Sequence, residues 1–136
     1  MKKRTVLISV FVVITGLVIS GVVFMNSLIK MSEAGLEKMN RMTLSDCDLS
    51  LIADGNYEGS YESFPVKVKL RVTVLNHSII AIELLKHDNG QGKDAEKILD
   101  RIIEEQTIKV DVISGATYSS KVILKAVEVA LLGSSD

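Results

Sequence analysis

In the stretch "KVDVISGATYSSKVILKAVEVALLG" an apolar alternation breaks at Ser114, Gly115, Ala116 and Thr117 and resumes with a helical period. The first amides of a helix have no intrahelical partners and the helix dipole is positive at that end. A corner of this kind attracts an anion, and small residues let the anion approach the backbone. Phosphate is the guest that fits this chemistry best. The same residue types also make an ordinary helix start, because Ser and Thr are common N-caps and Gly is a common turn residue. On local features alone both readings stay open.

Other chemistries find less support. His77 and His87 have neither metal-ligand nor triad spacing and are expected in surface loops. No acid, base and nucleophile set is positioned for a stand-alone reaction, so no catalytic residue and no metal site is predicted. Cys47 is the single cysteine, which excludes an intrachain disulfide, and "TLSD" before it does not resemble a lipid-attachment signal. The net charge of −1 over 136 residues gives no electrostatic footprint for nucleic acid.

The elements that must position the corner follow from patterning. Thr5 to Ile29 carry no charge, and as a helix this run reaches roughly 37 Å, enough to cross a hydrocarbon core of about 30 Å. The run is longer than a signal-peptide core and lacks an Ala-x-Ala-like cleavage site, so it reads as an uncleaved anchor. Lys2, Lys3 and Arg4 precede it, whereas Lys30 is soon followed by Glu33 and Glu37. That bias places the N-terminus in the cytoplasm and the rest of the chain outside. Leu36, Met39 and Met42 recur at three-residue intervals, a packing stripe on a helical stalk. Gly16 and Ser20 stand four apart, a spacing that permits close helix pairing but also arises often by chance.

Beyond the stalk, "DGNYEGSYE" offers a turn and an aromatic strand. "FPVKVKLRVTVLN" turns Val66, Val68, Leu70, Val72 and Val74 inward, with Pro65 at its beginning. "NHS" at 76–78 predicts a tight turn into "IIAIELLK", giving an antiparallel hairpin. After the polar loop "HDNGQG", Ala95, Ile98, Leu99, Ile102 and Ile103 mark an amphipathic helix. "TIKVDV" alternates as a further strand, and a final helix ends at Gly133. The reading is an α+β domain, a small and mostly antiparallel sheet with two helices, preceded by one N-terminal transmembrane helix. The expected organisation is a cytoplasmic tail over 1–4, a transmembrane anchor over 5–29, a helical stalk or linker over 30–48 and a compact domain over 49–136.

With these elements in order, "DGNYEGSY" at 54–61, the strand pair, the helix ending in "EEQ" and "VDVISGATYSS" at 110–120 resemble the FMN-binding domain family. That domain occurs in the flavin-carrying small subunits of sodium-pumping NADH:quinone oxidoreductases and Rnf complexes, and in single-anchor extracytoplasmic flavoproteins. The family's attachment signature, Asp-x-x-Ser/Thr-Gly-Ala-Thr, is matched by Asp111, Ser114, Gly115, Ala116 and Thr117. Asn56 and Ser119 stand where the family often has threonine.

The resemblance implies that Thr117 carries FMN through a phosphoester installed from FAD by a magnesium-dependent flavin transferase. Asp111 would then be part of what the transferase reads, and Tyr57, Tyr61 and Tyr118 are candidate ring contacts. The implied cofactor-binding set is Thr117, Ser114, Gly115, Ala116, Asp111 and Tyr118. The implied protein is an electron carrier in the cell membrane rather than a stand-alone enzyme. Its partners would be the transferase, membrane lipid, a donor (a membrane dehydrogenase or the quinone pool) and an extracytoplasmic acceptor. The competing reading is a non-flavinylated, membrane-anchored assembly module for a partner redox enzyme.

Overall fold

The computed structural model describes residues 2–45, 47–88 and 92–133. The polar loop expected over 87–92 falls partly outside them. The chain divides into two units, Met1–Ala34 and Gly35–Asp136. The first consists of the N-terminal part of helix α1, Lys2–Arg41. Val6, Phe11, Leu17 and Phe24 are exposed on it, and the helix is long and apolar enough to cross a membrane.

The second unit is α+β. Strands β1 (Gly55–Ser63), β2 (Val66–Leu75) and β3 (Ser78–Asp88) form an antiparallel sheet in the order β1-β2-β3. The alternation of β2 decides its faces: Val66, Val68, Leu70, Val72 and Val74 are all buried. The opposite face is wet and charged. There Arg71 bridges Glu58 on β1 (2.7 Å) and Glu83 on β3 (2.8 Å), and Lys67 reaches Glu62 (2.6 Å). Exposed pairs of this kind set register more than they add stability.

Both hairpins turn in two residues. Ser63 pairs with Val66 around the two-residue turn Phe64-Pro65, which stands directly before β2 and whose peptide bond is cis. Leu75 pairs with Ser78 around Asn76 and His77, both with positive φ (50° and 58°), the primed turn that suits the twist of a hairpin. Opposite β2, β3 carries two bulges, at Ile80 and Leu85, and both residues are exposed.

Helix α3 (Thr117–Leu132) covers the apolar face of the sheet, with Val122, Ile123, Ala126 and Val127 fully buried. A short 3₁₀ segment, Lys93–Lys97, leads into α2 (Ile98–Glu105), which buries Ile98 and Ile102. Of the stalk stripe, Met39 is 2% exposed and belongs to the core of the second unit and Met42 packs against it, whereas Leu36 is exposed.

Two expectations are corrected. "TIKVDV" is not a strand of the sheet. It keeps the alternation, with Ile108 and Val110 buried against exposed Lys109 and Asp111, but it joins no ladder. The reason lies at Gln106, which ends α2 with φ 52°. Its carboxamide accepts from Ile79 N (2.8 Å) and donates to Ile79 O (2.9 Å), taking the backbone groups of β3 that a fourth strand would use there. The second correction concerns His87, which lies in β3 with its side chain only 3% exposed rather than in a surface loop. Its Nδ1 pairs with Glu96 Oε1 at 2.9 Å, and its buried Nε2 has no partner among the described residues.

Candidate functional site

The site is the corner between residue 111 and the first turn of α3. Residues 113–116 form a turn closed by Ala116 N donating to Ile113 O at 2.9 Å. Gly115 has φ +80°, a conformation open to glycine at little cost, and the space where a Cβ would stand is empty. The glycine therefore serves backbone shape and not a tight fit. Ala116 is the N-cap residue, and no side chain caps the helix. The helix has no acidic residue in its first turn, so the positive end of its dipole is not offset by a carboxylate of its own.

Thr117 is the first residue of α3 and is exposed. Its hydroxyl makes no hydrogen bond among the described residues. Ser114 and Gly115 are exposed beside it in sequence, whereas Ala116 is buried and faces the core. Asp111 is exposed, and its backbone carbonyl accepts from Arg101 Nη1 of α2 at 3.1 Å.

Tyr118 points the other way. Its hydroxyl donates to Phe64 O (2.8 Å) and shares a hydrogen bond with Ser63 Oγ (2.7 Å), tying the helix start to the β1–β2 turn. The three tyrosines expected as ring contacts are not gathered at one place. Tyr57, hydrogen-bonded to Ala53 O at 2.7 Å, lies six residues before Ser63 on β1, roughly 20 Å along the strand. Tyr61 is half-buried, with Lys38 Nζ 5.0 Å from its ring centroid. Phe64, 39% exposed, is the aromatic whose own backbone meets the α3 start.

Residues 35–45 run alongside α3 in the same direction. Gly35 sits against Tyr118, Met39 O accepts from Lys121 Nζ (3.1 Å), and Ser45 N donates to Glu128 Oε1 (3.1 Å). Glu128 is 1% exposed and also pairs with Lys125 Nζ at 2.8 Å, a charge contact off the hydrogen-bonding direction. Burial pushes its carboxyl up, but the Lys125 ammonium and the Ser45 amide outweigh that and hold it below the usual range.

Sequence reasoning missed Ser120, Arg101 and Gly35. Ser120 Oγ accepts from Ile113 N (3.1 Å) and donates to Ala116 O (2.9 Å), and Ser120 is fully buried. The signal available was its position four residues after Ala116, where a helical serine reaches the i−4 carbonyl. Nothing in the spacing marked Arg101 or Gly35.

The family model of the FMN-binding domain matches residues 64–132, from the β1–β2 turn to the end of α3, and so takes in the whole corner. This chain belongs to the FMN-binding domain family. The chain is also similar to a curated relative, an uncharacterised protein of Treponema pallidum (strain Nichols), at 32% identity over 98 residues, 70% of this chain. The chain spans about a quarter of that relative's length, 27%. The residues at the corner suit the phosphate of FMN: an uncapped helix start without acidic neighbours in its first turn, an exposed and unengaged hydroxyl, and open space at Gly115.

Proposed function

We propose that this protein is a membrane-anchored extracytoplasmic flavoprotein that carries FMN as a phosphoester on Thr117 and works in electron transfer. The observation that carries the reading is Thr117 itself, exposed and unengaged as the first residue of an uncapped helix in an FMN-binding domain. FMN, when bound, supplies the uptake and release of electrons. The chain's own part is to hold and orient it.

In the attachment step Thr117 Oγ1 forms a bond to the flavin-side phosphorus of FAD. The pyrophosphate linkage breaks, AMP leaves with the bonding pair, and the hydroxyl proton passes to the transferase or to solvent. The amides of the first turn of α3 then face a phosphodiester anion, which a positive helix end favours. Ser114 and Gly115 leave the hydroxyl open to a second protein, and Asp111 presents a free carboxylate to it. The apolar run of α1 and the basic residues at its start support a single-pass anchor with the second unit outside the cytoplasm. The donor in this reading is a membrane dehydrogenase or the quinone pool, and the acceptor is extracytoplasmic.

The test is co-expression of the full chain with a flavin transferase, followed by denaturing electrophoresis and intact mass. The wild type is expected to give a fluorescent band and a mass increase of one FMN residue, and Thr117→Ala neither. A dark wild-type band without added mass would leave the chain as an assembly module without flavin.

A further inference from the structure

Alanine is among the poorer N-cap residues, yet the corner that must present Thr117 begins its helix on Ala116 with no side-chain cap. Something else has to hold this helix start. Two serines follow Tyr118, both buried: Ser119 at 3% and Ser120 at 0% exposure. Ser119 makes no side-chain hydrogen bond among the described residues, whereas Ser120 makes two. Its oxygen accepts from Ile113 N at 3.1 Å and its proton goes to Ala116 O at 2.9 Å. Together with Ala116 N to Ile113 O and Ser120 N to Ala116 O, both 2.9 Å, these bonds close a knot around the Ile113–Ala116 turn.

We propose that Ser120 is a positioning residue for the modification of Thr117. It clamps the turn from the buried side and so replaces the N-cap. A conventional cap at the same place would take the N–H of the second or third helical residue, and those are the donors an incoming phosphate needs. A clamp from inside fixes the helix start and leaves its outer amides and the Thr117 hydroxyl uncommitted. The Ile113 amide is part-buried, and the Ser120 oxygen is its acceptor, so losing that oxygen loosens the turn. The inference rests on Thr117 being the acceptor.

The experiment uses the full chain in detergent as wild type, Ser120→Ala, Ser120→Thr and Ser119→Ala. Each is assayed well below its own unfolding midpoint for the rate of flavin incorporation from FAD by a flavin transferase. In parallel, hydrogen exchange is followed at the Ile113 amide. Ser120→Ala is expected to slow incorporation about tenfold and to lower Ile113 protection by a similar factor. Ser120→Thr, which keeps the hydroxyl, restores both, and Ser119→Ala changes neither. The proposal is overturned if Ser120→Ala incorporates flavin at the wild-type rate, if it slows while Ile113 protection is unchanged, or if Ser119→Ala slows equally. If Ser120→Ala does not fold, the threonine and Ser119 variants carry the decision: a slow Ser120→Thr with wild-type Ile113 protection overturns it. Wild-type protein that takes no flavin sinks the functional reading instead, and the exchange measurement still decides the clamp.

Discussion

Tyr118 Oη stands 2.8 Å from the backbone carbonyl oxygen of Phe64 and donates to it, which joins the first turn of α3 to the β1–β2 turn. Gly35 closes over this contact: a Cβ there would lie 2.6 Å from Tyr118 Oη and 2.8 Å from Phe64 O. Tyr118→Phe is expected to cost about 0.5–1.5 kcal/mol through the lost hydrogen bonds, and Gly35→Ala about 1–3 kcal/mol through overpacking. The two should be less than additive, because they disturb one contact. Urea midpoints for the single and double variants check this.

Gly59 lets the backbones of β1 and α3 approach closely. An added Cβ would stand 2.1 Å from Ala126 O and 2.6 Å from Ala130 N, both backbone atoms of the helix. No rotamer change relieves such a clash, so Gly59→Ala must push α3 off the sheet. A loss of about 3 kcal/mol or more is expected. A midpoint within experimental error of the wild type would show that the helix can shift without cost.

Thr117→Ala removes a hydroxyl that has no partner among the described residues. Its stability is expected to stay within about 0.5 kcal/mol of wild type while covalent flavin disappears. Thermal unfolding of unmodified protein alongside in-gel fluorescence separates the two effects. A large loss of stability would mean that the hydroxyl has a structural duty.

Glu128 predicts an acid limb. Its folded pKa is depressed below 4.5, so its contribution to stability is fully present above that value and is lost as the pH falls through the lower native value. Glu128→Gln removes this pH dependence and also weakens the tie to Ser45. Stability measured between neutral pH and about pH 3 is expected to fall more steeply for wild type than for the variant. Parallel curves would assign the acid limb to other carboxylates, among which Glu58 is held down by Arg71 and Lys69.

Much of this was legible in the chain. The alternation from Val66 to Val74 set both faces of β2, and "NHS" marked a turn whose positive φ values the structure bears out. The small residues from Ser114 to Thr117 marked the corner, because few other contexts place Gly and Thr between an apolar alternation and a helical period. What stayed hidden depends on contacts distant in sequence. "TIKVDV" has a strand's pattern, but pattern reports burial on one side and not whether a ladder edge is vacant, and Gln106 occupies that edge at Ile79. His87 read as polar and loop-like because the pairing that extends β3 to Asp88, and the partner Glu96, cannot be seen from its neighbours. Ser120 was unremarkable as a residue type, and its importance lies in facing a turn seven residues back.

The carboxamide of Gln106 gives the sheet a protected rim. Backbone groups on the last strand of an open sheet are a template on which any extended peptide, another copy of this chain included, can continue the ladder. By imitating one residue of such a peptide, with an acceptor for Ile79 N and a donor for Ile79 O, the end of α2 stops that growth at its starting point. One side chain thereby occupies the edge position that the first residue of an added strand would need.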